Sequence, residues 1–272
     1  MNAELISIAT DTVPLDGLFY QPQDSARGAV MLMHGNTMNF YVGAPRFLPP
    51  ELVVRGHACL AYNRRGHDVL STYASRELVG GAYQTIAEAI DDNNLAAGWL
   101  ANRGFAAPIV IGHSHGGMLA AHFAARHSGT PVLILMSAHR GGPELMAGTS
   151  PNFAQGRHEE FLRMAEDMVA RGEGRELLHL PGWYHAMSAA TYLDASTAMP
   201  SLIDQAKRIT CPVLFIRGDA EPADNYPAEQ FAEHCAGPCE VEIIPGCDHF
   251  YGGHEAALAT MIADFIDRHA PA

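Results

Sequence analysis

The 272-residue chain predicts an α/β protein: a mostly parallel sheet with helices on both faces, interrupted by an inserted helical cap. Three observations carry that prediction. Short, continuous apolar runs recur at residues 28–33, 58–62, 108–111 and 131–136, as expected of strands buried on both faces. Helical patterns separate them, and alternating strands and helices imply right-handed crossovers between parallel strands. The rhythm fails between residues 141 and 200 and resumes at 212–216.

Taken in order, residues 4–9 alternate apolar and polar, and residues 15–20 carry Asp16-Gly17, which predicts two short antiparallel strands at one sheet edge. The run at 28–33 ends in His34-Gly35-Asn36. A helix over 45–55 and a strand over 58–62 follow, the latter ending in Asn63-Arg64-Arg65-Gly66-His67-Asp68. Between 84 and 103, Ile86, Ile90, Ala97 and Leu100 share one helical face, Asp91 and Asp92 lie on another, and Gly104 stops the pattern. Beyond the strand at 108–111, a helix covers 118–126 and a strand covers 131–136. Phe161, Met164, Ala165, Met168 and Val169 then mark an amphipathic helix, whereas residues 177–183 and 184–193 are apolar and aromatic without a strand signature. Residues 141–200 are therefore read as a mainly helical cap, with 1–140 and 201–272 as the core. Within the core, a helix near 227–234, a strand at 241–244 and a helix over 255–269 complete the chain, and no internal repeat is evident.

Composition narrows the function. A hydrophobic fraction of 48% with 17% charged residues is that of a globular protein large enough to bury a substantial core. The net charge of −13 and the lack of a Lys/Arg cluster argue against nucleic acid or an anionic membrane as partner. No basic start, secretory signal or bilayer-length apolar run is found, so a cytoplasmic location is the expectation. Five cysteines, an odd number, do not read as a disulfide framework. Cys235, Cys239 and Cys247 fit no familiar zinc spacing, and no third ligand accompanies His113 and His115, so no metal is expected.

The most informative stretch is Val110-Ile111-Gly112-His113-Ser114-His115-Gly116-Gly117. An apolar strand ends there, and an alanine-rich helix begins at about His115. The frame Gly112-x-Ser114-x-Gly116 is that of a nucleophile elbow, a strained turn that holds a serine hydroxyl clear of the backbone. Glycine fits on either side because a side chain there would collide where strand and helix approach most closely. The helix start adds free N–H groups and a positive dipole end, both favouring developing negative charge.

With this elbow, the His34-Gly35 turn, the Arg65-Gly66-His67 turn and a late acid–histidine pair, the chain resembles the α/β-hydrolases over nearly its whole length apart from the cap. The resemblance implies an active site at the carboxyl ends of the parallel strands, under the cap. It makes Ser114 the nucleophile and His249, after the last strand, its base. His113 and His115 flank the serine and are expected to pack around the elbow or line the pocket. The acid is expected three residues after Gly218, where Glu221 stands in place of the usual aspartate; Asp219, Asp224 and Glu144 are its competitors. Backbone N–H groups of Asn36 and His115 would form the oxyanion hole, with the Asn36 amide either facing the pocket or serving its turn. Arg64-Arg65-Gly66-His67-Asp68 is read as a turn held by salt bridges rather than a phosphate site. Trp183, Tyr184, Met187 and Tyr192 are expected in the cap core, some lining the pocket.

The expected activity is cofactor-independent serine hydrolysis of an ester or related acyl bond in a small molecule. C–C, thioester or amide hydrolysis, perhydrolysis and acyl transfer use the same machinery, and a non-enzymatic ligand receptor is the rival from another class. The serine at the elbow argues against dehalogenase and epoxide hydrolase chemistry, which use aspartate there. Oligomeric state is left open.

Overall fold

A computed structural model describes residues 2–148, 153–182 and 185–270. Eight strands form one sheet in the order β1-β2-β4-β3-β5-β6-β9-β10. β1 (Asn2–Ile8) and β2 (Leu15–Gln21) pair antiparallel at one edge, as their alternating pattern predicts, and β2 also runs antiparallel to β4 (His57–Tyr62). β3 (Gly28–Met33), β5 (Ile109–His113), β6 (Leu133–Met136), β9 (Val213–Gly218) and β10 (Cys239–Ile244) are parallel neighbours, with β4 joined to β3.

The continuous apolar runs have the reason expected of them: both faces of the sheet are covered. Along β3, Met31 and Met33 enter one buried cluster and Val30 and Leu32 the other. α1 (Ala44–Val54) and α9 (Glu255–His269) close the second cluster through Leu48, Leu52, Leu258, Ile262 and Ile266. α2 (Ile86–Ala101) and α3 (His115–Ala124) cover the opposite face through Ala96, Leu100, Leu119 and Phe123. α2 begins with a capping box in which the Thr85 side chain and Glu88 exchange hydrogen bonds with each other's backbone.

Residues 141–200 depart from the helical reading in one respect. α4 (Gly142–Ala147), α5 (His158–Ala170) and α6 (Ala189–Ala198) are present, but β7 (Leu177–His179) and β8 (Ala186–Ser188) pair antiparallel as a small separate sheet. Strands of three residues are too short to show an alternation. Met187 and Tyr192 are buried, and Phe161, Leu178 and Tyr192 join the same cluster as α2 and α3; Trp183 and Tyr184 lie outside the described residues. The ends of the segment meet, since Gly141 and Ser201 form an antiparallel bridge. α7 (Leu202–Ala206) and α8 (Ala228–His234) complete the fold.

The chain leaves β3 towards β4 on one side and then crosses to β5 on the other. That reversal opens a crevice at the carboxyl ends of β3 and β5, the usual ligand position in an open α/β sheet. The turn after β4 is anchored beside it. Arg65 Nε meets Asp92 Oδ1 at 2.6 Å, and its other nitrogens meet Asp11 at 2.6 Å and Asp91 at 3.1 Å. Asp92 is fully buried and also accepts from Arg65 N and Gln84 Nε2. Arg65→Met strands that carboxylate and is expected to lower unfolding free energy by about 3–5 kcal/mol. Asp11→Asn, at an exposed partner, is expected to change it by less than about 1 kcal/mol; urea unfolding of both variants checks the contrast.

Candidate active site

Ser114 stands between β5 and α3 with φ 57° and ψ −120°, a backbone conformation that a residue with a side chain rarely adopts. Two glycines permit it. A Cβ on Gly112 would run into the Gly116 carbonyl and lie 2.7 Å from Ala120 Cβ, and one on Gly116 would run into the Met33 and His34 carbonyls. The helix start is thus packed against the ends of β3 and β5. Gly117 N and Met118 N donate to Ser114 O, leaving the N–H groups of His115 and Gly116 at the open end of the helix.

The turn after β3 faces this elbow. Met38 N donates to Gly35 O across Asn36 and Thr37, and Thr37 takes φ 55°. His34 locks the turn in place: Nδ1–H donates to Gly35 O at 2.7 Å, and Nε2 accepts from Arg64 N at 3.0 Å. No acceptor among the described residues takes the Asn36 N–H. Arg64 itself is almost wholly buried, and its charge helps to hold His34 and His115 below the usual histidine range, after the larger effect of burial.

His249 and Glu221, predicted as a pair, are brought together. Nδ1 of His249 and Oε1 of Glu221 lie 2.7 Å apart, and both residues are more than nine-tenths buried. The second carboxylate oxygen accepts from Gly218 N at 2.9 Å and from Ser137 Oγ at 2.6 Å. Ser137 Oγ in turn meets the Tyr251 hydroxyl, which also reaches Ile216 O at 3.1 Å. Arg217 holds the loop backbone by donating to Glu221 O at 3.1 Å. The competing acids are placed elsewhere: Asp219 accepts from Gly246 N at 2.8 Å, and Asp224 and Glu144 are exposed.

The residues beside the serine connect the two halves. His113 donates from Nε2 to His249 O at 2.8 Å, and the two rings lie 4.7 Å apart. His115 points its Nδ1 at Nε2 of His139, 3.1 Å away. Ser137, His139 and Tyr251 carry no sequence motif that marks them. The one available signal was position, because Ser137 and His139 directly follow β6 at the carboxyl end of the sheet. Ser114, Thr37, Ser137 and Tyr251 all have positive φ, a concentration of backbone strain typical of functional sites.

The pattern that defines the Alpha/beta hydrolase family matches residues 30–261, and the chain belongs to this family. It is a hydrolase with the fold that the sequence predicts. No curated protein matches the sequence. Among solved structures, Est1E from Butyrivibrio proteoclasticus is similar at 19% identity and TM-score 0.72, covering 97% of this chain and 98% of that one. The alpha/beta hydrolase GrgF from Penicillium sp. sh18 is 17% identical at TM-score 0.74, with 99% of each chain covered. A thermostable carboxyl esterase from Bacillus coagulans is 15% identical at TM-score 0.71, again with 99% of each covered. At such identities the likeness is one of fold. No helix among the described residues is long and apolar enough to cross a membrane, and no group of three His, Cys, Asp or Glu side chains among them is arranged to hold a metal.

Four buried histidines around the elbow are held neutral, chiefly by burial: His113 and His139 are pushed down to about 3, and His34 and His115 well below the usual range. Unfolding restores an ordinary value near 6.5, so below that pH the unfolded chain binds more protons than the folded one. Stability is therefore complete above pH ~6.5 and is lost as pH falls, by about 1.4 kcal/mol per pH unit for each such histidine. Urea midpoints are expected to drop steeply between about pH 6.5 and pH 5; a flat profile over that interval would contradict neutral burial.

Proposed function

We propose that the protein is a cofactor-independent serine hydrolase that cleaves a carboxylic ester or related acyl bond of a small molecule through an acyl-enzyme. The observation that carries this reading is the Glu221–His249 pair, buried at 2.7 Å and tied through His113 to the strained elbow of Ser114.

A serine hydroxyl attacks only when a base takes its proton. With Nδ1 of His249 held by Glu221, Nε2 is the nitrogen that would take the Ser114 proton. Glu221 fixes the tautomer and stabilises the imidazolium that forms, while its other oxygen stays anchored by Ser137 and Gly218. The oxyanion would rest on the N–H groups of His115 and Asn36, which approach from the helix start and from the β3 turn. Buried Arg64 adds positive charge nearby, which favours the same negative oxygen. His249 then returns the proton to the leaving group, and water repeats the sequence on the acyl-enzyme. Residues 141–200 would cap the site, since Phe153, Met187, Thr191, Ala195 and Met199 line a small cavity together with Asn36 and His115.

A fluorophosphonate is expected to label the protein on Ser114, and Ser114→Ala to abolish labelling; labelling that persists would remove Ser114 from the mechanism. His249→Ala is expected to lower turnover of an activated ester by about 10⁴-fold or more. Glu221→Gln should lose more activity than Asp219→Asn, and the reverse order would reassign the acid.

A further inference from the structure

The pair His115–His139 has a direction that the hydrolytic reaction does not use. His139, buried just after β6, accepts a hydrogen bond at Nδ1 from Gly141 N, 3.0 Å away. A ring nitrogen that accepts carries no proton, so the single proton of neutral His139 is on Nε2. That nitrogen lies 3.1 Å from His115 Nδ1 and can only donate to it. His115 Nδ1 therefore accepts, and the proton of His115 is on its own Nε2. A backbone amide at Gly141 thus fixes both tautomers in turn.

The residue at the end of this chain lines a cavity. His115 follows Ser114 directly, and it lines a cavity of about 20 Å³, room for one water-sized group, beside Asn36. Met187, Ala195 and Met199 form an apolar wall of the same cavity. His115 Nε2 has no acceptor among the described residues, and unlike Nδ1 of His113 it is not sealed away from open space. On a residue only 5% exposed, it is a donor with no partner among the described residues, and His115 is next in sequence to the proposed nucleophile.

We infer that His139 sets His115 as a fixed hydrogen-bond donor on the acyl side of the site, and that the enzyme selects short acyl groups carrying an acceptor oxygen close to the reacting carbonyl. This rests on the serine hydrolase reading given above. His139 is a positioning residue: it acts on substrate only through His115. A 2-alkoxy, 2-hydroxy or 2-oxo acyl group satisfies the N–H, whereas a plain alkyl chain of the same length covers it and leaves it unpaired. Leaving a buried donor unpaired is expected to disfavour the alkyl substrate roughly 10- to 100-fold.

The test compares p-nitrophenyl methoxyacetate with p-nitrophenyl butanoate, which differ by an ether oxygen in place of a methylene. Each kcat/KM is divided by the rate constant of the same ester with hydroxide, which removes the difference in intrinsic reactivity. The native protein is expected to favour methoxyacetate by at least about tenfold on this scale. His139→Phe, which fills the space without donating, should bring the ratio to near one. His139→Gln, whose amide can donate to His115 Nδ1, should restore part of it. A native ratio near one, or a ratio indifferent to His139→Phe, overturns the specificity. Imidazole ¹⁵N spectra of the native protein provide an independent reading: protons on Nε2 of both His115 and His139 are expected, and a proton on Nδ1 of either overturns the relay. If neither ester is turned over, the hydrolase reading and the specificity fall together, while the spectra, which need no substrate, still decide the relay.

Discussion

The site depends on how closely the start of α3 approaches the ends of β3 and β5. Gly112 and Gly116 let backbone meet backbone where no side chain fits, and that contact holds Ser114 in a conformation it would not adopt alone. Everything else is arranged around this fixed point. His34 ties the β3 turn to the β4 turn, Arg65 ties the β4 turn to α2, and His113 ties the elbow to the last loop. The loops at the crevice are consequently braced in pairs, the β3 turn against the β4 turn and the elbow against the last loop.

Much of this bracing is done by uncharged imidazoles. A neutral histidine offers one donor and one acceptor in a fixed geometry, which suits a buried position between two backbone groups better than a charged side chain would. His34 spans Gly35 O and Arg64 N in this way, and His139 links Gly141 N to His115. A high histidine content, fifteen in this chain, therefore reflects structure as much as catalysis.

The fold was legible because its signals are local. Strands covered on both faces need unbroken apolar runs, and the span of β3 matches its run residue for residue. The Ser114 elbow and the spacing from Gly218 to Glu221 are likewise short-range patterns, and Glu221 does pair with His249. What escaped was set by contacts distant in sequence. Ser137 holds Glu221 from the end of a neighbouring strand and Tyr251 backs Ser137, contacts that form only once the sheet and the last loop come together. Asp92 is placed by periodicity only on a face away from Ile86 and Leu100, and its burial depends on Arg65 from a distant turn. The small β7–β8 sheet escaped because three-residue strands carry too little pattern to distinguish from loop.

The tie between His113 and the His249 carbonyl joins residues 136 positions apart. Residues 239–269 also supply the edge strand β10 and the helix that closes one face of the sheet, so the elbow and the loop carrying His249 belong to one folding unit. Without them Ser114 would lack both the base proposed for it and the contact from His113 that braces that loop. On the mechanism proposed above, a chain cut before residue 239 would lose the base, its brace and the helix that closes one face of the sheet all together.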